Sequence, residues 1–139
     1  MAIYSLINTI DYICDMDKAS SNPTIFKIKP LDPIMMSYIL DKLMPQKVKP
    51  ELTKPITFSV KTMKQFMIEA VRFGLMDWHN FLDESDQELM FDRQVITIEI
   101  NYNTMLYSTL SIETICKIPD EIIQELGAKI LDISKTHMG

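Results

Sequence analysis

Four side chains in this 139-residue chain have the chemistry to ligate a soft metal or to act as nucleophile or base: Cys14, His79, Cys116 and His137. Zinc needs a nearly complete set of such ligands in short, paired spacings. These four are scattered and no CxxC occurs, so the expectation is no metal site. His79 follows Trp78 and reads as a partly exposed structural histidine. His137 stands near the end of the sequence, where order is often lost. The densest carboxylate cluster is Asp83-Glu84-Ser85-Asp86-Gln87-Glu88. Counted as a calcium loop from Asp83, its sixth position is Glu88 where a glycine is needed, and its twelfth falls on Val95 or its neighbour instead of a bidentate Glu. A glycosidase needs carboxylates on opposite sides of a cleft, which neighbours on one turn do not supply. The three glycines, Gly74, Gly127 and Gly139, form no phosphate-cradling loop, and no serine nucleophile elbow is present. The expectation is a solvated turn fixed by Asp83, no catalytic residue, no cofactor, and a binding role by exclusion.

The composition bounds what such a protein can contact. With 14 basic and 19 acidic residues the net charge is −5, which argues against a phosphate-backbone binder and so against a nucleic-acid partner. Hydrophobic residues make up 47% of the chain, enough for one globular domain spanning 1–139. No segment approaches the roughly 18 uninterrupted apolar residues of a membrane helix. The opening "MAIYSLINTIDYIC" lacks a basic n-region and a cleavage site, so a cytoplasmic location is expected. The two cysteines read as reduced, buried thiols, with a single bridge between them as the alternative. The 11 methionines suit core filling or an adaptable binding surface.

The elements that must position these residues are legible as periodicity. Residues 3–13 suit a strand or a short helix, and 15–23 a loop. "TIFKIKPL", 24–31, alternates, with Phe26 and Ile28 on one face and Ile25 and Lys27 on the other. "DPIMMSYILDKLM", 32–44, opens with an Asp cap and a first-turn proline and carries Met35, Met36, Ile39, Leu40 and Leu43 at helical spacing. The Pro/Lys-rich stretch 45–56, with Lys47, Lys49 and Lys54, reads as a flexible linker. A helix is expected over 57–75, capped by Ser59 or Thr62. Its apolar stripe is Met63, Phe66, Met67, Ala70 and Val71; Lys61, Lys64, Glu69 and Arg72 cover the other side. Gly74 is expected to close it in a left-handed conformation. "RQVITIEINYN", 93–103, predicts a half-buried strand with one wet face: Ile96, Ile98, Ile100 and Tyr102 face one way, Val95, Thr97, Glu99 and Asn101 the other. Residues 104–111 suit either more strand or a helix start. A last helix is expected over 118–134, with Pro119 in its first turn, a stripe of Ile122, Ile123, Leu126, Ile130 and Leu131, and Gly127 permitting close packing. The fold class is α+β: about three amphipathic helices with a small antiparallel sheet or hairpin.

Three stretches in this order, "TIFKIKPL", "VRFGLMDWHNFLDESDQELMF" (71–91) and "IPDEIIQELGAKIL" (118–131), resemble small tailed-bacteriophage proteins, many of them tail assembly chaperones. Together they cover about a third of the chain. In that group the middle motif often ends in a D-x-x-G turn; this chain has Asp86-Gln87-Glu88 there, and Asp tolerates left-handed φ. The resemblance implies a non-enzymatic factor of the host cytoplasm. Such a factor binds the phage tape measure protein and helps recruit tail tube proteins around it. It names Phe66, Met67, Phe73, Trp78 and Phe81 as candidate partner contacts, unless they are the domain's own core. Self-association is compatible with it. The alternatives are a virion component, such as a connector or baseplate-associated protein, and an inhibitor of a host defence protein.

Overall fold

The computed structural model describes residues 9–43, 59–100 and 102–138. The stretch 45–56, residues 3–8 and the side chains of Ile100 and His137 lie outside it. Strand β1 (Ile10–Tyr12) resolves the strand-or-helix choice for its part of residues 3–13. A 3-10 turn at Asp15–Asp17 leads into β2 (Ile25–Ile28), whose Phe26 and Ile28 are buried while Lys27 is exposed, as the alternation requires. Helix α1 (Pro33–Leu43) starts on Asp32, whose Oδ1 accepts the Met35 N–H at 2.7 Å. Helix α2 (Val60–Gly74) is capped by Ser59, whose side chain accepts the Thr62 N–H, so of the two expected caps Ser59 serves.

Strand β3 (Leu75–His79) follows α2 without a gap and pairs antiparallel with β2, which also pairs with β1. Phe26 lies opposite Trp78. Between the pairs Lys27–Asp77 and Ile28–Leu75, strand β3 carries one extra residue, Met76, so Leu75 and Trp78, three residues apart, both reach the core. That broken alternation hides β3 from a period-two reading. Strands β4 (Arg93–Ile100) and β5 (Asn103–Leu110) form a separate antiparallel ribbon. The stretch 104–111 is thus a returning strand. Ser111 ends it and caps the short helix α3 (Ile112–Ile115) by accepting the Thr114 N–H. Helix α4 (Asp120–Met138) begins one residue after Pro119, whose carbonyl accepts from Ile122 and Ile123 N–H; Pro119 therefore sits at the cap instead of inside the first turn. The result is a small α+β domain, with four helices and two small antiparallel sheets among the described residues.

The two helical glycines meet opposite neighbours where α2 packs on α4. A Cβ on Gly127 would lie 2.9 Å from the Met67 Cβ, and one on Gly74 would lie 2.7 Å from the Ile130 Cγ2. Gly127 thus permits close packing, as its place in the stripe suggests. Gly74 does not adopt positive φ, and it is the last residue of α2, not a left-handed cap. Its value is the space it leaves for Ile130. Gly74→Ala is expected to cost about 2 kcal/mol by overpacking, and Ile130→Val in the same chain to recover part of it. Urea denaturation of the two variants checks this; no recovery would return the role of Gly74 to backbone conformation.

The wet face of α2 also differs from expectation. Lys61 and Lys64 cover its N-terminal half together with exposed Met63, which leaves the stripe. Glu69 and Arg72 are both buried, at 7% exposure. Arg72 Nη1 lies 3.3 Å from Glu69 Oε1, its Nε donates to the Leu110 carbonyl at 3.2 Å, and Lys42 Nζ of α1 reaches the same Glu69 oxygen at 3.0 Å. This cluster ties α1, α2 and β5 together. On α4, buried Ser134 donates to the Ile130 carbonyl and accepts from the Leu31 N–H, which fixes the chain entering α1. By contrast, the buried hydroxyl of Thr109 has no hydrogen-bond partner among the described residues. Burying such a group costs about 1–3 kcal/mol, so Thr109→Val is expected to raise stability by about 1 kcal/mol in thermal or urea unfolding.

Candidate partner-binding surface

Of the five aromatic and methionine candidates, four are core. Phe66, Phe73, Trp78 and Phe81 are buried, Trp78 at 6% exposure, and Met67 is half-buried against Gly127. Their apolar surface is spent inside the domain, which corrects their reading as contacts for a partner. Trp78 is the hub of the corner after α2. Its ring makes edge-to-face contacts with Phe81 and Phe91 at 5.0 and 4.8 Å, and Phe81 makes another with Phe26 at 5.2 Å. The indole N–H donates to the Leu89 carbonyl at 3.1 Å. His79 is exposed on β3.

The acidic stretch is a turn with internal order. Asp83 Oδ1 accepts the N–H groups of Ser85 and Gln87 at 2.8 and 3.0 Å, and the Asp83 N–H donates to the Gln87 carbonyl. Asp86 takes φ 60°, in the left-handed region that Asp tolerates. Asp83 thus has the structural role its place predicts, and its carboxylate is committed to the turn. The thiols divide: Cys14 is buried, whereas Cys116 is exposed, which corrects the expectation for Cys116.

What the molecule does present is the β4–β5 ribbon. Ile98 points into the core and Ile96 is half-buried, while Val95, Thr97 and Glu99 are exposed, as the alternation predicts. Tyr102 departs from it: at the strand connection it takes φ 68° and stands fully exposed. On the outward face Val95 lies opposite Ser108, and Thr97 opposite Leu106. Val95 and Leu106 are therefore diagonal neighbours, 66% and 70% exposed, within reach of one continuous contact. Leu106 was missed because 104–111 read as strand or helix with no assigned face. Val95 could have been found as the one aliphatic residue among Thr97, Glu99 and Asn101.

The ribbon's edges follow from one bond. Ser111 N–H donates to the Asp92 carbonyl, which makes 92 and 111 a hydrogen-bonded pair. Such pairs alternate along an antiparallel ladder. Residues 94, 96, 98 and 100 therefore bond to β5, and the N–H and C=O groups of Val95, Thr97 and Glu99 point to the outer edge of β4. No strand among the described residues pairs with that edge. At its base the ribbon is anchored by Arg93. This guanidinium donates to the Leu75 carbonyl at 2.8 Å and to Ser108, and stacks over Phe91 at 5.5 Å. A rigid base, an open edge and an adjacent apolar face are the requirements for adding an extended segment of another protein.

Comparison with known protein families, with curated proteins and with solved structures found no match.

Proposed function

We propose that this protein is a non-enzymatic tail assembly chaperone of a tailed bacteriophage. In this reading it acts in the host cytoplasm and holds apolar segments of the tape measure protein against the β4–β5 ribbon while tail tube subunits are recruited. The observation that carries it is the exposed pair Val95 and Leu106 beside the open β4 edge. Main-chain groups of an edge supply sequence-tolerant affinity, and an apolar face selects clients that would otherwise aggregate. The net charge of −5 helps keep such a complex in solution. The motifs at 24–31, 71–91 and 118–131 supply the phage context.

The test is co-expression with the tape measure protein of the same genome. The chain is expected to raise the soluble fraction of that protein. Leu106→Lys, on an exposed site where folding is little affected, is expected to abolish most of the gain. Unchanged client solubility with the unaltered chain would end the reading. A fixed copy number of the chain in purified particles, read by mass spectrometry, would replace it with the virion-component alternative.

A further inference from the structure

The loop after β1, the start of the acidic hairpin and the first turn of α4 enclose a pocket of about 370 Å³. That is the small end of the range for binding pockets. Its floor is apolar, made by Cys14, Phe26 and Phe81, all buried, with half-buried Ile122. Its rim is mixed: polar Asp17, Asn22, Thr24 and Asn80 stand beside exposed Met16 and Leu82.

The rim is held in place by its own bonds. Asp17 Oδ2 accepts the Thr24 N–H at 2.6 Å, and Thr24 Oγ1 donates to the Asn80 carbonyl at 2.8 Å. Asn80 Nδ2 donates to the Asn22 carbonyl at 2.7 Å, while the Asn80 N–H donates to Glu88 Oε1 at 3.0 Å. Asn80 holds φ 61°, which fixes this corner of the pocket. A site of this kind costs a ligand little reorganisation.

Its charge is one-sided. Among the described residues, Asp17 is the only lining residue charged at neutral pH, and no lysine or arginine lines the pocket. Behind it, Glu125 Oε2 accepts from the Tyr12 hydroxyl at 2.6 Å and from the Asp15 N–H at 2.9 Å. The neighbouring cation Lys18 is paired with Asp15 at 2.6 Å. The Cys14 thiol on the floor is pushed up to about 12, first by burial and then by the charges of Glu125, Asp17 and Asp15. The Tyr12 hydroxyl is raised by burial and by Glu125. Both groups resist becoming anions, first because burial strips water from the charge and then because carboxylates face them; that second, electrostatic part is what favours a cation.

We propose that this pocket receives a lysine or arginine side chain of the protein client, its aliphatic stem against Phe26 and Phe81 and its charged head beside Asp17. Long basic side chains join an apolar stem to a charged tip, which matches an apolar floor under a carboxylate rim. The proposal deepens the chaperone reading and rests on it for the nature of the client: the ribbon holds apolar sequence and the pocket sets register on a basic residue.

The test is a two-dimensional amide NMR titration of the full chain with acetyl-Leu-Lys-Leu-amide. Analogues carrying norleucine or Glu in place of Lys serve as comparison. Shifts confined to Thr24, Asn80, Phe81 and Leu82 are expected, with a dissociation constant on the order of 1 mM. Asp17→Asn keeps an oxygen for the Thr24 N–H and is expected to weaken the lysine peptide about tenfold, the worth of one charge-assisted contact. The norleucine peptide should bind the unaltered chain about tenfold more weakly, and the Glu peptide should leave these amides unmoved. Equal binding of the norleucine and lysine peptides overturns the proposal, as do shifts elsewhere on the domain or an unchanged affinity in Asp17→Asn. The peptide comparison on the unaltered chain decides the matter even where the variant folds poorly. A failed titration leaves the co-expression result standing, because the probe is not the client; a failed co-expression leaves the pocket's charge preference to be read on its own.

Discussion

Trp78→Ala is expected to lower folding stability by about 4 kcal/mol, as truncation of a large buried aromatic does. Three losses combine. The indole's packing against Phe81 and Phe91 disappears, a void opens beneath the corner, and the Leu89 carbonyl loses the donor that holds the far side of the hairpin. Phe81 in turn packs on Phe26, opposite Trp78 in the sheet register, so the damage reaches the pairing of β2 with β3. Trp78→Phe keeps much of the packing and loses the hydrogen bond; its cost should be closer to 2 kcal/mol. Trp78 is the only tryptophan, so far-UV circular dichroism in urea, not fluorescence, is the measurement. A loss under about 1 kcal/mol in Trp78→Ala would contradict the corner's role as a packed hub.

Glu69→Ala is expected to cost about 3 kcal/mol, because it leaves Arg72 charged and buried without its carboxylate. The Leu110 carbonyl would remain as a partner for Nε, but a carbonyl does not neutralise a guanidinium. Lys42, more exposed, can turn to solvent and should suffer little. The pair is not itself a strong source of stability. Replacing both partners with apolar side chains, Glu69→Leu with Arg72→Met, is expected to cost less than Glu69→Ala alone, since no uncompensated charge remains. A double-mutant cycle in urea separates the possibilities. If the single losses simply add, the two residues act independently and the buried pair is not a coupled unit.

Both cases mark where the sequence could be read and where it could not. Local signals were readable. Asp32 before Pro33 starts α1, Ser59 starts α2, and the alternations in 25–28 and 93–99 orient β2 and β4. Asp86 takes the left-handed turn position that its side chain tolerates. Non-local effects were not. A glycine at a helix end looks the same whether it supplies positive φ or makes room for Ile130 on another helix. Glu69 and Arg72 look like a solvated helix face until Lys42 and the Leu110 carbonyl arrive from elsewhere in the chain. Strand β3 lost its alternation to its own extra residue, Met76, so Leu75 and Trp78 read as a corner. The candidate contacts illustrate the same limit. Phe66, Phe73, Trp78 and Phe81 were conspicuous by type, and type alone does not separate core from surface. Val95 and Leu106 are ordinary by type and become a surface pair only through the register of β4 with β5.

The central claim is that a client adds to the open edge of β4. Amide hydrogen exchange of the chain alone and in its co-purified complex with the tape measure protein reads that edge directly. The account predicts that the N–H groups of Val95, Thr97 and Glu99 exchange rapidly in the free protein and become protected in the complex, with the inward amides of β4 little changed. Protection confined to other elements, with those three amides exchanging as fast as before, would contradict it.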